Sequence, residues 1–162
     1  MTTAADPGLR ELQDRAEIHD VMMRYAASLD VLDWDGVAAC FTKDAHSVYN
    51  GADLGDGVDK ILAYIKGLAN MKVTTHFMGN QLIEVKGDSA SMETYCVAYL
   101  GSKRDGKDVM VIRGLRYIDQ LVRQNGNWLI SDRIHTCDWM REDTVVIPSD
   151  GNNRAATRPS NA

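Results

Sequence analysis

Apolar residues between Leu9 and Leu32 recur at the three- and four-residue spacing that places them on one face of a helix. Polar residues, among them Glu17, Asp20 and Arg24, fall on the opposite face. The pattern predicts a long amphipathic first helix. Its buried stripe would consist of Leu12, Ile18, Val21, Met22, Tyr25 and Leu29.

Two shorter helices are predicted after the first. The second begins at Asp33 or Asp35, where acidic residues suit the positive end of a helix dipole, and runs through "GVAACF". The third fits "GDGVDKILAYIKGLANM", in which apolar residues keep a helical spacing after two glycines. Between these helices, "AHSVYN" is predicted to form a strand.

After Lys72 the apolar residues alternate with polar ones, which is the period of a strand. Four strands are predicted: "VTTHFMGNQLIEV", "SASMETYCVAYLG", "KDVMVIRGLRYIDQLVRQ" and "NWLISDRIHTCDWM". The turn signals "KGDS", "KRDG" and "QNGN" separate them and predict hairpins. Helices that cover a curved, mostly antiparallel sheet make an α+β fold.

Length and composition predict one domain over residues 9–147. The chain has 162 residues, of which 44% are hydrophobic and 25% charged, enough to bury a core. Residues 1–8 and 148–162 are predicted to be flexible, because the second segment carries almost no large apolar side chain.

The charge pattern favours small molecules or further copies of the chain as partners. The formal net charge is -5, and no cluster of Lys and Arg interrupts it, which argues against a nucleic-acid surface. Three scattered cysteines without a CxxC pair predict reduced thiols rather than disulfides or a thiolate zinc site. The sequence shows neither a leader pattern nor a membrane-spanning run, so a cytoplasmic location is predicted and no membrane partner.

Asp30 is the first residue with a candidate chemical function. In "YAASLD" it falls at the margin of the apolar face of the first helix. A solvent-facing residue at the helix end, or a cap for the next segment, is one interpretation. An inward carboxylate is the other, and it would need a partner because burying an unpaired charge is costly.

His76, in "VTTHFMGNQL", is the candidate partner. A histidine oriented by a carboxylate can act as a general base near neutral pH, because the acid fixes its tautomer and stabilises the imidazolium. The alternative is a core histidine that bonds the backbone.

Further candidates lie on the later strands. In "SDRIHTCDW", alternation places Arg133, His135, Cys137 and Trp139 on one face, which is either a cavity wall or a solvated outer face. Arg113, on the same apolar strand as Tyr117, either pairs with a buried acid or reaches an anionic or carbonyl group in a pocket. Neither metal-ligand spacing nor a GxSxG, phosphate-loop or dinucleotide motif is present, so no metal and no cofactor is predicted.

The segments "LQDRAEIHDVMMRYAASLD", "DWDGVAACFTKDA", "THFMGNQLIEV" and "RQNGNWLISDRIHT" resemble the SnoaL-like group of the NTF2-like (cystatin-like) superfamily. The similarity is to its scytalone dehydratase, hexachlorocyclohexane dehydrochlorinase and bile acid 7α-dehydratase branch. It implies three N-terminal helices on a cone-shaped sheet, a homodimer or homotrimer, and an Asp30–His76 dyad with His76 as the base.

The resemblance also implies that Tyr25 and Tyr49 line the substrate pocket. The acidic residue that the bile acid enzyme carries on the strand read as "METYCVAYL" has no counterpart here, since Val97 or Ala98 stands nearest. The resulting hypothesis is a cofactor-independent lyase of the dehydratase or dehydrohalogenase type. Its substrate would be a small hydrophobic cyclic or polyketide- or steroid-like molecule, with Tyr25, Tyr49, Arg113, Tyr117 and His135 as binding residues. An isomerase or cyclase, and a ligand-binding or assembly module without activity, are the alternatives.

Overall fold

The computed structural model describes residues 7–148, which form three α-helices and six strands. The helices are α1 (Pro7–Val31), α2 (Trp34–Ala38) and α3 (Val58–Ile65), and a 3₁₀ helix (Lys66–Asn70) continues α3. The strands are β1 (Phe41–Tyr49), β2 (Ala52–Asp56), β3 (Val73–Lys86), β4 (Ser89–Arg104), β5 (Lys107–Gln124) and β6 (Asn127–Thr144). This is the α+β class that the pattern predicts.

The sheet is mixed and mostly antiparallel. Its strand order is β2-β1-β6-β5-β4-β3, and only the pairing of β1 with β6 is parallel. Tight turns join the last four strands, and Asn125 and Gly126 between β5 and β6 both have positive φ angles, 51° and 81°. Such paired angles match the right-handed twist of the strands, so the Asn-Gly signal is confirmed as a hairpin.

The helices do not form one N-terminal block of three. Helix α3 follows the hairpin of β1 and β2, and it is shorter than the predicted segment. Strand β2 was not predicted, because its five residues, ADLGD, show no apolar alternation. The turn before it did carry a signal, since Asn50 and Gly51 have the positive φ angles (52° and 82°) of a two-residue hairpin.

The ends of the domain differ from the predicted boundary at residue 9. Helix α1 begins at Pro7, so residues 7 and 8, predicted to be flexible, are helical. Residue 148, also predicted to be flexible, lies after β6 without regular secondary structure, and residues 1–6 and 149–162 lie outside the described part of the chain.

Helix α1 packs its apolar stripe against the sheet. Five predicted residues of the stripe are at most 1% exposed: Ile18, Val21, Met22, Tyr25 and Leu29. Leu12, also predicted to be buried, is 66% exposed, because Asp14 takes the inward position in the early turns and bonds Arg123 and Trp128. Within residues 7–148, no helix is both long and apolar enough to cross a membrane.

Candidate active site

Helix α1 ends directly after Asp30. Leu32 has a left-handed backbone (φ 59°), and its N–H donates to the carbonyl of Leu29 at 3.1 Å. The N–H of Asp33 donates to the carbonyl of Ser28 at 2.9 Å, which completes a Schellman motif. Asp30 therefore lies in the last turn, where the negative end of the helix dipole disfavours a carboxylate. A tertiary contact must compensate.

That contact is made with His76 on β3. The Nδ1 of the imidazole lies 2.7 Å from Oδ1 of Asp30, and the backbone N–H of His76 donates to Oδ2 at 2.9 Å. Because β3 is the last strand of the sheet order, the carboxylate also satisfies a backbone donor on an open sheet edge. The imidazole is 5% exposed and the carboxylate 25%.

The contact determines which nitrogen of His76 can act as a base. An ionised carboxylate accepts hydrogen bonds and cannot donate them, so the proton of a neutral imidazole resides on Nδ1. The lone pair of Nε2 is then available on the other side of the ring. His76 thus has the tautomer that a general base requires.

The register of the sheet brings the other candidates to the same face. Residues directly opposite one another on neighbouring strands have side chains on one face of a sheet. One row across the sheet consists of His76, Ala98 and Arg113, and a second consists of Tyr117, His135 and Tyr49. The two rows form one wall.

These rows line a cavity of about 260 Å³ beneath α1 and α3. An apolar cavity of about 150 Å³ accommodates benzene, so this space admits a ring with substituents or two fused rings. The predicted site residues on its wall are Tyr25, Tyr49, His76, Arg113, Tyr117 and His135, and Asp30 stands behind His76. Between them the lining is largely apolar, with Leu29, Leu100 and Leu115 among its members.

Tyrosine hydroxyls supply the polar groups deep in the cavity. The Oη atoms of Tyr25 and Tyr49 are 3.5 Å apart, and the rings of Tyr25 and Tyr117 meet edge to face at 5.6 Å. Burial raises the pKa of Tyr25 and of Tyr117 well above the ordinary 10.0. Both phenols therefore stay protonated and can donate a hydrogen bond to an oxygen of a bound molecule.

Behind the tyrosines lies an ion pair that the sequence did not identify. Arg133 is fully buried and bonds both carboxylate oxygens of Asp119, at 2.7 and 2.8 Å. Its guanidinium lies 4.2 Å from the ring centroid of Tyr25 and 4.5 Å from that of Tyr117. The sequence carries a charged residue at an inward position of each of the two strands, β5 and β6. Because it does not state the register of these strands, it does not predict that the two residues pair.

His135 is buried among aromatic rings. It stacks on Tyr49 with ring centroids 5.0 Å apart, and its Nδ1 has no hydrogen-bond partner in the described chain. Burial, and then the charges of Arg113 and Arg133, lower the pKa of His135 to about 3. The ring is therefore neutral under ordinary conditions.

The predicted face of β6 is interrupted after Cys137. Arg133 and His135 are buried, which selects the cavity wall over the solvated face for these two residues, but Trp139 is 52% exposed. Cys137 pairs with Leu115, whereas Trp139 pairs with Gly114, the next residue along β5. The extra residue in β6 is a bulge that turns the alternation over and moves Trp139 to the outer face.

The cysteines and carboxylates form no metal site in the described region. No group of three or more His, Cys, Asp or Glu side chains there is placed to hold an ion. Cys40, Cys96 and Cys137 are free thiols, of which the first two are buried and Cys137 is half-buried.

Comparison with known proteins identifies the family. A family model described as a SnoaL-like domain matches residues 10–134, more than half of the chain. The chain belongs to the SnoaL-like family. The uncharacterized protein Rv2910c of Mycobacterium tuberculosis is 32% identical to this SnoaL-like protein over 128 residues, which are 78% of this chain and 86% of the relative.

Solved structures confirm the NTF2-like fold of this SnoaL-like protein. A hexachlorocyclohexane dehydrochlorinase of LinA type 2 superposes with a TM-score of 0.74 at 16% identity, over 88% of this chain and 97% of that one. A scytalone dehydratase-like protein from Novosphingobium aromaticivorans gives 0.72 at 20% identity, over 86% and 92%. At these identities the likeness concerns the fold.

Proposed function

We propose that the protein is a cofactor-independent lyase. The observation that carries the proposal is the bond from Asp30 to Nδ1 of His76, which leaves Nε2 as a free base beside a mostly apolar cavity. His76 would remove a proton from a carbon next to an electron-withdrawing group of a small hydrophobic substrate. Water or halide would then leave from the neighbouring carbon.

The surrounding groups suit such an elimination. As Nε2 takes the proton, the imidazole becomes a cation, and the carboxylate of Asp30 at 2.7 Å stabilises it. Charge develops at the same time on the carbonyl oxygen or the leaving group. The hydroxyls of Tyr25, Tyr49 or Tyr117 are the donors available to it.

Two probes test the reaction. Elimination of water from 3-hydroxy-1-tetralone gives 1-naphthol, which is followed by its absorbance, and γ-hexachlorocyclohexane releases chloride. We expect turnover of at least one probe by the full chain. His76→Ala should lower the rate by about 10²- to 10⁴-fold, the usual contribution of a positioned base. Asp30→Asn should also lower it, because the amide cannot balance the imidazolium charge.

A matched control is His46→Ala, since His46 lies away from the cavity and contacts Asp53 and Asp132. This variant should keep the wild-type rate. An unchanged rate in His76→Ala would contradict the proposal. A product of unchanged mass would indicate an isomerase or cyclase, and binding of the probes without any turnover would indicate a ligand-binding module.

We also infer that the chain assembles with copies of itself through the outer face of the sheet. Large apolar side chains are exposed there: Phe77 (67%), Tyr95 (45%) and Trp139 (52%). Groups of this size clustered on one surface are typical of a protein interface. Sedimentation should show a dimer or trimer, and Trp139→Glu should shift it toward the monomer. A monomeric wild-type chain would contradict this inference.

A further inference from the structure

We propose that the ligand of this cavity is a hydrophobic acid and that Arg113 binds its carboxylate at the cavity mouth. This inference names the substrate class of the proposed function and rests on it for the reaction. The binding itself does not depend on turnover.

Arg113 stands where the cavity meets the surface. It lines both the cavity that contains His76 and a second, more open depression, and Asn50 and His135 border both of them as well. The side chain of Asn50 is exposed, so a group bound here would stay partly in contact with solvent. A charged end of a ligand can be accommodated at such a position, while its apolar body enters the cavity.

Within residues 7–148, the hydrogen-bond partners of the Arg113 guanidinium are the sulfur of Cys137 and the amide oxygen of Asn50, and neither is a carboxylate. Its Nε lies 3.4 Å from Sγ of Cys137, and its Nη2 donates to Oδ1 of Asn50 at 3.4 Å. The contact with Asn50 is long for a hydrogen bond from a cation, which with a carboxylate usually measures about 2.7 to 2.9 Å. The sulfur of Cys137 is a weak acceptor. The hydrogen-bond donors of Arg113 are therefore only weakly satisfied.

The other arginines of the strands differ from Arg113 in this respect. Each has a carboxylate within 4.0 Å: Arg104 (Glu142), Arg116 (Glu93 and Asp138), Arg123 (Asp14, Glu17 and Asp88), Arg133 (Asp119) and Arg141 (Asp143). Arg113 has no carboxylate within this distance in the described chain. The residues opposite it on the two neighbouring strands are Ala98 on β4 and Met140 on β6. In a chain with a net charge of -5, an arginine at a cavity without a carboxylate is a notable exception.

The charges around the cavity favour an anion. Among the described residues no acidic side chain lines it, since the carboxylate of Asp30 stands behind His76. Two guanidinium groups lie near this wall, and after burial the charges of Arg113 and Arg133 lower the pKa of His135. The planar guanidinium fork matches a carboxylate, which it can bind through two parallel hydrogen bonds.

The register also places the carboxylate relative to the base. His76, Ala98 and Arg113 are opposite one another on three neighbouring strands, which puts the outer two backbones about 10 Å apart. Ala98 lies between them and its small side chain leaves the space open. A ligand that reaches both ends would carry its acidic C–H at one end of a ring system and its carboxylate at the other.

Binding of two probes to the full chain tests the proposal without a need for turnover. The probes are 2-naphthoate and its neutral analogue 2-naphthamide, titrated by isothermal calorimetry near neutral pH. We expect the wild-type chain to bind the acid at least about tenfold more tightly than the amide, as for a hydrogen bond to a charged group. Arg113→Met should abolish this preference. The control Arg141→Met, which removes an exposed arginine on β6, should retain it.

A second variant adds a competitor for Arg113 and leaves the arginine in place. Ala98→Asp puts a carboxylate directly across the strand pair, so it should weaken binding of 2-naphthoate far more than that of 2-naphthamide. Circular dichroism verifies that each variant folds. His76→Ala should lose turnover and keep the preference for the acid, which separates a failure of the catalytic proposal from a failure of this one.

Three results would contradict a carboxylate site at Arg113. Equal affinity of the wild-type chain for the two probes, or a preference that survives Arg113→Met, would overturn the inference. Binding of neither probe would overturn it as well, because the cavity is large enough for a two-ring acid.

Discussion

The buried imidazole of His135 should make the stability of the fold depend on pH. In the folded chain its pKa is about 3, because burial, and then the charges of Arg113 and Arg133, disfavour the imidazolium. In the unfolded chain the ring is in water and recovers an ordinary pKa of about 6.5. Between these two values the unfolded state binds a proton that the folded state does not.

The sign and size of the effect follow from this difference. The contribution of neutral His135 to stability is complete above about pH 6.5 and is lost progressively as the pH falls toward 3. Each pH unit in that interval lowers the free energy of unfolding by about 1.4 kcal/mol. At about pH 4.5 the free energy of unfolding should therefore be about 3 kcal/mol lower than at neutral pH because of His135 alone.

Urea unfolding of the wild-type chain and of His135→Phe measures the effect. Phenylalanine keeps an aromatic ring against Tyr49 and cannot take up a proton. Between about pH 7 and pH 4.5, the free energy of unfolding should fall by about 3 kcal/mol more in the wild type than in the variant. The carboxylates are common to both chains, so their contribution cancels in the comparison. The control His19→Phe replaces an exposed histidine on α1. Its free energy of unfolding should fall with pH as much as that of the wild type, because His135 is intact.

The same loss in wild type and His135→Phe would refute the reasoning. It would mean that the folded protein accepts a proton on His135 as readily as the unfolded chain does.

Two further predictions concern packing behind the cavity and on the outer sheet face. Arg133→Met leaves the carboxylate of Asp119 buried and unpaired, so it should lower the free energy of unfolding by about 3 to 5 kcal/mol, whereas Arg133→Met with Asp119→Leu should recover much of that loss in urea unfolding. Additive losses in the double variant would contradict this. Gly114→Ala places a Cβ 2.1 Å from the indole of Trp139, so the ring must move and its fluorescence should change. In the control Gly79→Ala the nearest atom is 3.5 Å away, and the spectrum should stay that of the wild type; an unchanged spectrum in both variants would refute the close contact.

The candidate site shows how far local patterns extend. Asp30 is a candidate because a carboxylate at the margin of an apolar helix face is unusual, and His76 is one because an imidazole is the usual general base near neutral pH. The two residues are 46 positions apart, and no local pattern states that the end of α1 meets the edge strand β3. Their contact results from packing of α1 over the sheet edge.

Arg113 and Arg133 also show that local patterns do not predict contacts between strands. Alternation places both on candidate inward faces, and for Arg113 it allows two partners, a buried acid or a group in a pocket. The register resolves the difference, since Asp119 lies opposite Arg133 and Ala98 lies opposite Arg113. Arg133 is therefore compensated inside the core, and Arg113 faces the cavity without a carboxylate in the described chain.

The sequence by itself determined the α+β class, the first helix, the four long strands with their hairpin turns, and the residue types available for acid–base chemistry. These follow from apolar periodicity and turn preferences, which depend on neighbours a few residues away. Only the tertiary structure decided the place of β2, the bulge that turns Trp139 outward, and the meeting of Asp30 with His76. Strand register and helix docking are set by contacts between distant segments, because a shift of one residue reverses every side chain without changing the local pattern.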